Sequence, residues 1–466
     1  MAVDTPHPEY TEFAGKWAKA RDAAAGEEAV KARRDEYLPM LKGQGKDDYA
    51  AYLKRTPYFN ATARTVDGLS GMIFRRAPII SRPPAMDDFV ADVTFEGVSL
   101  AAFAEQVVQE VLITGRGGVI VDFPRAADAD ITLAQAGRMG RRPFLRFYRA
   151  EDILNWRVGS IDNRTVLVQV RLFERVEQSV AGEGEFDSAL VDQIRVLDLV
   201  EGQYRQRLFR QDDDKEWVPH GDEIFPEQGG VPMDFLPFRF VGPRDTAARI
   251  AKPPLLDLVN VNLSHFRSAA DLEHGAHFVG LPTPYVFGTA EAPATIGPTV
   301  VWHAPENDVQ VGMLEFTGGG LASLEHLLDR KEQQMAVLGA RMLFPEKKAA
   351  EAAETASMHR QGENSALAAL AQAVARALSE ATVIARDWIA ASDETGIALN
   401  TDYLPTPMSP QMLVALIQAV QSGHISRRTF FSNLQRGEII AADMAFEDEQ
   451  VEIEGELPTV VTQTTV

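Results

Sequence analysis

The chain has no cysteine, no long uninterrupted apolar run and no recognisable targeting signal among its 466 residues. Without cysteine it can hold no disulfide, thiolate nucleophile or cysteine-ligated zinc or iron–sulfur site, which fits a reducing compartment. The first ten residues lack the apolar core of a signal peptide, and the most apolar short runs, 118–121 and 412–420, cannot span a bilayer. We therefore expect a soluble cytoplasmic protein with no membrane partner.

Positive charge is also scarce. Lys and Arg number 46 against 67 Asp and Glu, which gives a formal net charge of −21. Non-specific coating of DNA needs clustered cations, so this balance argues against that class of protein. The same charge balance still allows a local contact between DNA and a few basic residues.

What the sequence does contain is enough apolar material for a large core. Hydrophobic residues make up 45% and charged residues 24%, a balance typical of globular chains. The length corresponds to roughly three blocks of the usual domain size of about 150 residues. Because helical and strand periodicities are both present, we predict an α+β fold with long helices. We also expect the protein to form oligomers.

Apolar spacing and end signals place the elements. Helices are predicted over 11–55 with an interruption at 43–45, and over 57–77, 99–115, 255–279, 321–342, 363–391, 409–421 and 426–435. Strands are predicted at 119–122 and through 144–240, a polar loop at 125–142 and a Pro- and Gly-rich β segment at 280–320. One face of the 255–279 helix, which is roughly 35–40 Å long, is formed by Leu255, Leu258, Val259, Asn262, Phe266 and Ala270. Residues 437–466 hold eight acidic and no basic residues and are expected to be flexible.

The segment Gly115–Gly118 is the motif nearest to a phosphate-binding loop. Glycine-rich turns can cradle phosphates with backbone N–H groups. Here the turn runs from a helix to a strand, and no Gly-Lys-Ser/Thr follows it. We interpret it as a tight helix–strand turn and keep nucleotide binding as the alternative.

Two clusters of ligand-type side chains have structural interpretations. Asp271, His274 and His277 follow one helix face beside Glu273, without His-Glu-x-x-His spacing, which favours a solvated or inter-subunit face over a metal site. Asp212–Asp214 lacks the glycine and the terminal Glu of a calcium loop, so we predict a hairpin tip. No Gly-x-Ser-x-Gly elbow is present. We therefore predict no catalytic residue, no metal and no cofactor.

Three further segments have residue types that suit a joint or a contact with an anion or a partner. Thr317–Gly320 precedes a helix, where it offers either an anion site or, as we favour, a flexible joint. Lys347 and Lys348, followed by His359 and Arg360, form a small basic island between two long helices. Arg427–Arg428 begin a short helix, where the dipole disfavours cations, so we expect them to face a phosphate or a neighbouring subunit.

Several stretches occur together in a shared order, although no single one is specific. They are Tyr52–Arg55, Phe59–Val66, Gly68–Phe74, Gly115–Asp122, Tyr148–Trp156, Pro253–Leu258, His265, Ser268–Asp271, Leu338–Leu343 and Glu363–Leu367. In this order the chain resembles the tailed-bacteriophage portal (head-to-tail connector) proteins, in the subgroup long filed as a domain of unknown function. The resemblance extends over roughly residues 35–400.

The resemblance implies a portal fold of wing, stem, clip and crown, assembled as a ring of usually twelve subunits. The implied segments are a wing (1–252), a first stem helix (253–279), a clip (280–320), a second stem helix (321–342), a tunnel loop (343–362), a long wing helix (363–403) and a crown with an acidic tail (404–466). Lys347, Lys348, His359 and Arg360 then fall on the loop that faces DNA. Gly318, Gly319 and Gly320 become a hinge between clip and stem.

The function implied is that of a portal: the channel at one capsid vertex for genome packaging, DNA retention, ejection and head–tail attachment. Implied partners are further copies of the chain, the large terminase, the major capsid protein, a head–tail adaptor and double-stranded DNA passing without sequence readout. The location is the virion, after assembly in the host cytoplasm. ATP hydrolysis falls to the terminase, since no Walker signature is present. The alternatives are a nucleotide-binding enzyme using Gly115–Gly118 and a non-portal virion structural protein.

Overall fold

The computed structural model describes residues 2–123, 141–161, 163–179, 188–280, 283–287, 310–314, 319–343, 365–403, 410–436, 439–440, 444 and 446–456. Contacts divide the chain into two compact units. The first comprises 1–18, 66–254 and 340–466, and the second 19–65 and 255–339. Helices and strands both contribute, so the α+β class is confirmed in this general form.

The helices within the described residues, in chain order, are α1 (Pro8–Ala25), α2 (Glu27–Ala32), α3 (Lys46–Arg55), α4 (Ala61–Phe74), α5 (Asp87–Ala91), α6 (Leu100–Thr114), α7 (Leu256–Gly280), α8 (Leu321–Ala340), α9 (Ala366–Ile389), α10 (Pro410–Gln421), α11 (Arg427–Arg436) and α12 (Phe446–Glu456). The strands are β1 (Ile79–Ser81), β2 (Gly117–Asp122), β3 (Phe144–Arg149), β4 (Ile153–Ile161), β5 (Arg164–Ser179), β6 (Ser188–Val200), β7 (Gln203–Gln211), β8 (Trp217–Ile224), β9 (Glu227–Gln228), β10 (Val231–Pro232), β11 (Phe238–Val241), β12 (Thr283–Phe287), β13 (Gln310–Leu314) and β14 (Gly396–Ala398).

The first unit is built on two antiparallel sheets. Strands β4 to β8 form a five-stranded meander in chain order, and β2 lies between β11 and β3 in a three-stranded sheet. Their shared core contains Tyr148, Trp156, Leu197, Phe238 and Phe240, all nearly or fully buried. Phe238 and Phe240 lie two residues apart on β11, so both side chains face the core, because alternate residues of a strand share a face.

Helix α9 is the longest helix of the first unit and is rich in apolar residues. Ser365 caps it by accepting a hydrogen bond from the Ala368 N–H at 3.1 Å, and its C-cap Ala390 is left-handed. The helix is long and apolar enough to cross a membrane by composition, a property that the short uninterrupted apolar runs of the sequence do not reveal. However, 67% of its most apolar window is buried inside the fold, which is the behaviour of a core helix.

The second unit contains α3, α7, α8 and the β12–β13 hairpin. The face of α7 predicted from spacing is confirmed, because Leu258, Val259, Asn262, Phe266 and Ala270 are all almost completely buried, as is Leu255 just before the helix. The helix begins after Pro253–Pro254 and ends at Gly280, within one residue of the predicted bounds. Pro cannot continue a helix on its N-terminal side, which sets that limit.

Some elements differ from the predictions. Helix α4 begins at Ala61 rather than at 57, because the Asn60 side chain accepts from the Ala63 N–H at 2.9 Å and acts as the N-cap. Helix α12 lies within the acidic segment expected to be flexible. Strand β14 pairs with β1, a contact between distant segments that spacing does not reveal. The predicted loop at 125–142 lies almost entirely outside the described residues.

Candidate functional site

Helices α7 and α8 pack as an antiparallel hairpin. The Lys331 ammonium of α8 donates to the Ser264 backbone carbonyl at 2.9 Å and to Ser268 Oγ at 2.6 Å on α7. One residue further along α8, Glu332 Oε1 lies 3.3 Å from His265 Nε2. These contacts fix the register of the two helices near their middle.

The same hairpin places His265 in a largely dehydrated position. Its side chain is 6% exposed and its ring lies 5.6 Å from that of Phe59. Burial lowers the pKa of His265, although the hydrogen bond to Glu332 acts in the opposite direction. The histidine is therefore held neutral at physiological pH.

Asn262, near the start of α7, forms hydrogen bonds with the residues just before α4 and with the first turn of α4. Its side-chain oxygen accepts from Tyr58 Oη at 3.1 Å, from Thr62 N at 3.1 Å and from Thr62 Oγ1 at 2.8 Å. Its amide nitrogen donates to the Phe59 carbonyl at 2.8 Å. A fully buried amide held by both its oxygen and its nitrogen specifies a single arrangement of these helices.

Two glycines allow the helices to approach closely. A Cβ on Gly275 would lie 2.8 Å from Leu321 Cδ2, and one on Gly339 would lie 3.2 Å from Thr65 Cγ2. The first contact is shorter than real Cβ contacts, so Gly275 is required where α8 begins. The glycine inside the helix, which spacing alone marks as unfavourable, thus has a packing reason.

Between α7 and α8 the chain forms the β12–β13 hairpin. Five residue pairs join the strands, from Thr283↔Leu314 to Phe287↔Gln310. Tyr285 and Phe287 have ring centroids 5.1 Å apart, and Phe287 is 64% exposed. Tyr285 packs over Gly312, since a Cβ there would lie 2.5 Å from the tyrosine hydroxyl. The predicted β character of this segment is confirmed for these strands, and residues 281–282, 288–309 and 315–318 lie outside the described residues.

The predicted hinge and loop residues are only partly described. Gly319 and Gly320 form an exposed turn before α8, where a Cβ added to either glycine would meet no other atom within 4 Å. Gly318 and the four predicted DNA-facing residues, Lys347, Lys348, His359 and Arg360, lie outside the described residues. Residues 344–364, between α8 and α9, lie outside the described residues, and they include nearly all of the predicted tunnel loop.

The exposed side of α8 combines polar side chains of both charges with two apolar ones, Leu327 and Val337. Glu325, His326, Asp329, Arg330 and Gln333 are exposed there. On this described helix the surface contains no continuous basic stripe of the kind that grips phosphates.

The Gly115–Gly118 turn is confirmed as a tight helix–strand connection. Gly115 is left-handed at φ 73° and ends α6, while β2 begins at Gly117. A Cβ on Gly115 would lie 3.1 Å from the Lys252 carbonyl oxygen, and one on Gly118 would overlap Phe238. The glycines therefore serve close packing against protein atoms and leave no open phosphate cradle.

Arg116, within this turn, is buried between two aromatic rings. Its guanidinium carbon lies 4.1 Å from the Trp156 ring centroid and 4.4 Å from that of Phe240, and Nη1 donates to the Ala248 carbonyl at 2.9 Å. Burial lowers the pKa of Arg116 to about 9, with the Glu9 carboxylate opposing the shift. This cation–π arrangement is a structural role, and its only local sign in the sequence is one arginine among glycines.

A second buried polar network lies between the two sheets of the first unit. Glu174 Oε1 accepts from Arg146 Nη1 at 2.7 Å and from Arg195 Nε at 2.8 Å, and it also accepts from Tyr148 Oη. Burial alone raises the pKa of Glu174, but Arg195 and Arg146 outweigh it and hold that pKa at about 2. The carboxylate therefore stays ionised as the shared counter-ion of Arg146 and Arg195, and Arg195 also lies 3.4 Å from Asp122.

The remaining clusters behave as structural features. Asp212 Oδ1 accepts from the N–H groups of Asp214 and Glu216, so the predicted hairpin tip between β7 and β8 is confirmed. Asp271 accepts from Tyr52 Oη at 2.9 Å, and the His274 ring packs edge-on against Tyr52. Within the described part of the chain, no group of three His, Asp or Glu side chains is arranged to hold a metal ion.

Comparison with known proteins gives one family match and several similar structures. Residues 254–389 match a protein family described as a domain of unknown function, DUF4055. No curated protein sequence matches the chain. A chain in the neck of a native gene transfer agent (GTA) particle, computed with C12 symmetry, is 11% identical with a TM-score of 0.39, and the alignment covers 84% of this chain and 94% of that one.

Two other structures have similar values. A chain in the virion of a native gene transfer agent particle is 12% identical with a TM-score of 0.36, covering 92% of this chain and 99% of that one. A chain in the neck of an empty GTA particle, computed with C6 symmetry, is 13% identical with a TM-score of 0.38, covering 83% of this chain and 93% of that one.

Proposed function

We propose that this chain is the portal protein of a phage-like particle and that it forms a ring around an axial DNA channel. The observation that carries the proposal is the order of elements from α7 to α9. Two long antiparallel helices enclose a β hairpin, and a segment of 344–364 then leads into a buried helix. This order coincides with the stem, clip, stem, tunnel loop and wing helix implied by the sequence resemblance, and the family match spans the same residues.

The helical hairpin has the dimensions and surface of a channel wall. Helix α7 has 25 residues, or about 37 Å at 1.5 Å per residue. One side of each helix is committed to the hairpin, while the exposed side of α8 carries side chains of both charges, with Leu327 and Val337 as exposed apolar residues among them. A moving duplex must be guided without being held, and such a surface provides no strong phosphate grip.

Net charge supports the same function. Each chain carries −21, so a ring of twelve carries on the order of −250. An acidic sleeve repels phosphates, whereas the few cations at Lys347, Lys348, His359 and Arg360 would make weak, screened contacts with DNA. Gly318, Gly319 and Gly320 would let the clip pivot on the stem.

The proposed partners follow from this position in a particle. The chain would assemble with copies of itself, sit in the shell of the major capsid protein, receive the large terminase during packaging and later bind a head–tail adaptor. The terminase would hydrolyse ATP, and this chain would act mechanically, without catalytic residues, metal or cofactor. Its location would be the portal vertex of the virion, after assembly in the host cytoplasm.

Mass measurement and electron microscopy of the purified chain test the proposal. A perforated ring with a mass of many chains is expected. A globular monomer that hydrolyses a nucleotide would instead support an enzyme, and a closed, unperforated assembly would support a different virion component.

A further inference from the structure

The helices α10, α11 and α12, at residues 410–456, carry opposite charges in two halves. Residues 410–436, here called the basic half, contain three arginines and no acidic residue. Residues 437–466, of which α12 is the main described part, contain eight acidic residues and no basic residue; α12 is here called the acidic half. In the whole chain acidic and basic residues are mixed, at 67 and 46, whereas each of these two segments carries charges of one sign only.

The basic half has an apolar face that nothing in the described chain covers. Helix α10 packs against α11, and Leu413 and Leu416 are partly buried. Val414 and Ile417 extend the same apolar side of the helix and are 53% and 38% exposed. An apolar side of a helix is normally buried across its whole width.

The acidic half exposes one apolar side chain, Val451, among its carboxylates. Phe446 packs edge-on against Phe431 of α11 with centroids 5.4 Å apart, which attaches α12 to its own chain. Asp448 and Val451, one turn apart, are exposed, and Val451 is 70% exposed. Within the chain, Arg428 reaches Glu447 at 3.3 Å with both side chains mostly exposed, a weak surface pair.

We propose that the basic half of one copy docks onto the acidic half of the next copy. The occupant is a second copy of this chain, because the two halves are complementary in charge and each also exposes apolar side chains, Val414 and Ile417 on the basic half and Val451 on the acidic half. Contact between two different surfaces of identical chains is heterologous, and it closes into a ring when the rotation allows. Arg427, placed at the first position of α11 where the helix dipole disfavours a cation, would then face the neighbour's carboxylates. This inference rests on the proposed ring and assigns part of its subunit interface.

Two charge-reversed full-length variants test the contact. The first carries Arg427→Glu and Arg428→Glu, and the second carries Glu447→Lys and Asp448→Lys. Each variant alone places like charges opposite one another at positions 427–428 and 447–448 of the contact, so the concentration at half-dissociation of the ring, measured by mass photometry in a fixed urea concentration, should rise about tenfold or more. The control Asp213→Lys with Asp214→Lys makes the same charge change as the second variant, at the β7–β8 hairpin tip, and should leave the midpoint unchanged.

Mixing the two variants gives the decisive result. In a ring in which the two variants alternate, positions 427–428 and 447–448 carry opposite charges at every contact, so combining the dissociated variants and lowering the salt should restore the wild-type midpoint. Failure of mixing to restore it would overturn the proposal, because a purely intrachain role for these charges cannot be repaired by another chain.

A third variant, Val414→Ser with Ile417→Ser, tests the apolar part without changing charge. It should raise the midpoint while leaving its salt dependence as in wild type. Rings whose midpoint moves in none of the variants overturn the contact while leaving the ring itself intact. A wild-type chain that forms no ring at any concentration overturns the proposed function instead.

Discussion

Lys331 on α8 donates a hydrogen bond to the backbone carbonyl of Ser264 on α7 at 2.9 Å. An ammonium bonded to a mid-helix carbonyl joins the two helices independently of the side chain at 264. The same nitrogen reaches Ser268 Oγ, one turn further along α7. A partly buried lysine thus sets the register of the hairpin proposed as the stem.

We predict that Lys331→Met weakens the helical hairpin by about 1.5–3 kcal/mol, the usual range for hydrogen bonds to a charged group. Methionine keeps a long, unbranched side chain but leaves Ser264 O and Ser268 Oγ without this donor. Amide hydrogen exchange in α7 measures the loss. The neighbouring change Arg330→Met, at an exposed position, is the control and should alter exchange little; equal effects of both would show that the Lys331 contacts contribute nothing specific.

His265 predicts a pH dependence for the same hairpin. Burial lowers its pKa in the folded state, so below the ordinary pKa of about 6.5 the unfolded chain binds the proton first. Stability of α7 and α8 should therefore be full above pH 6.5 and fall as pH decreases, by at most about 1.4 kcal/mol per unit.

Hydrogen exchange between pH 7.5 and 5.5, corrected for intrinsic rates, checks this dependence. The change His265→Gln should flatten it, whereas His220→Gln, at an exposed site on β8, should not. A profile that is unchanged by His265→Gln would assign the pH dependence to other groups.

Glu174 predicts a large loss of stability in the first unit. The change Glu174→Gln leaves Arg146 and Arg195 without their shared counter-ion, and breaking one partner of a buried charge network costs about 3–5 kcal/mol. Denaturant unfolding followed by Trp fluorescence measures it. Glu177→Gln, at an exposed position on the same strand, is the matched control; similar small effects of both changes would contradict the assigned role.

The basic residues of the predicted tunnel loop predict a phenotype in DNA packaging and retention, and none in ring assembly. Lys347→Ala with Lys348→Ala should leave ring assembly intact and reduce the amount of DNA packaged or retained in particles. Exposed Lys42 and Lys46, changed to Ala together, provide a control with the same loss of charge. Loss of assembly without any effect on DNA would mean that the loop is structural.

Local signals predict the elements well and their long-range contacts poorly. Pro253–Pro254 and Gly280 limit α7, and the apolar spacing between them identifies its buried face. Spacing places Asn262 on that face but does not reveal its partners, which lie about 200 residues earlier in the chain. For the same reason, nothing in the local sequence distinguishes Lys331 from an ordinary surface lysine.

The C-terminal acidic segment illustrates the opposite error. Its composition favours a flexible end, yet α12 forms there with Glu447 and Asp448 in its first turn, where acidic side chains stabilise the helix dipole. The contact between Phe446 and Phe431 adds an anchor that composition does not register. Charge alone therefore underestimates the order of this segment.

The most direct test of the portal assignment is a cryo-electron microscopy reconstruction of the purified assembly. We predict a ring with an open axial channel, with α7 and α8 around that channel and the β12–β13 hairpin at one end of it. A closed assembly, or a ring in which α7 and α8 lie at the outer edge away from the axis, would contradict the account.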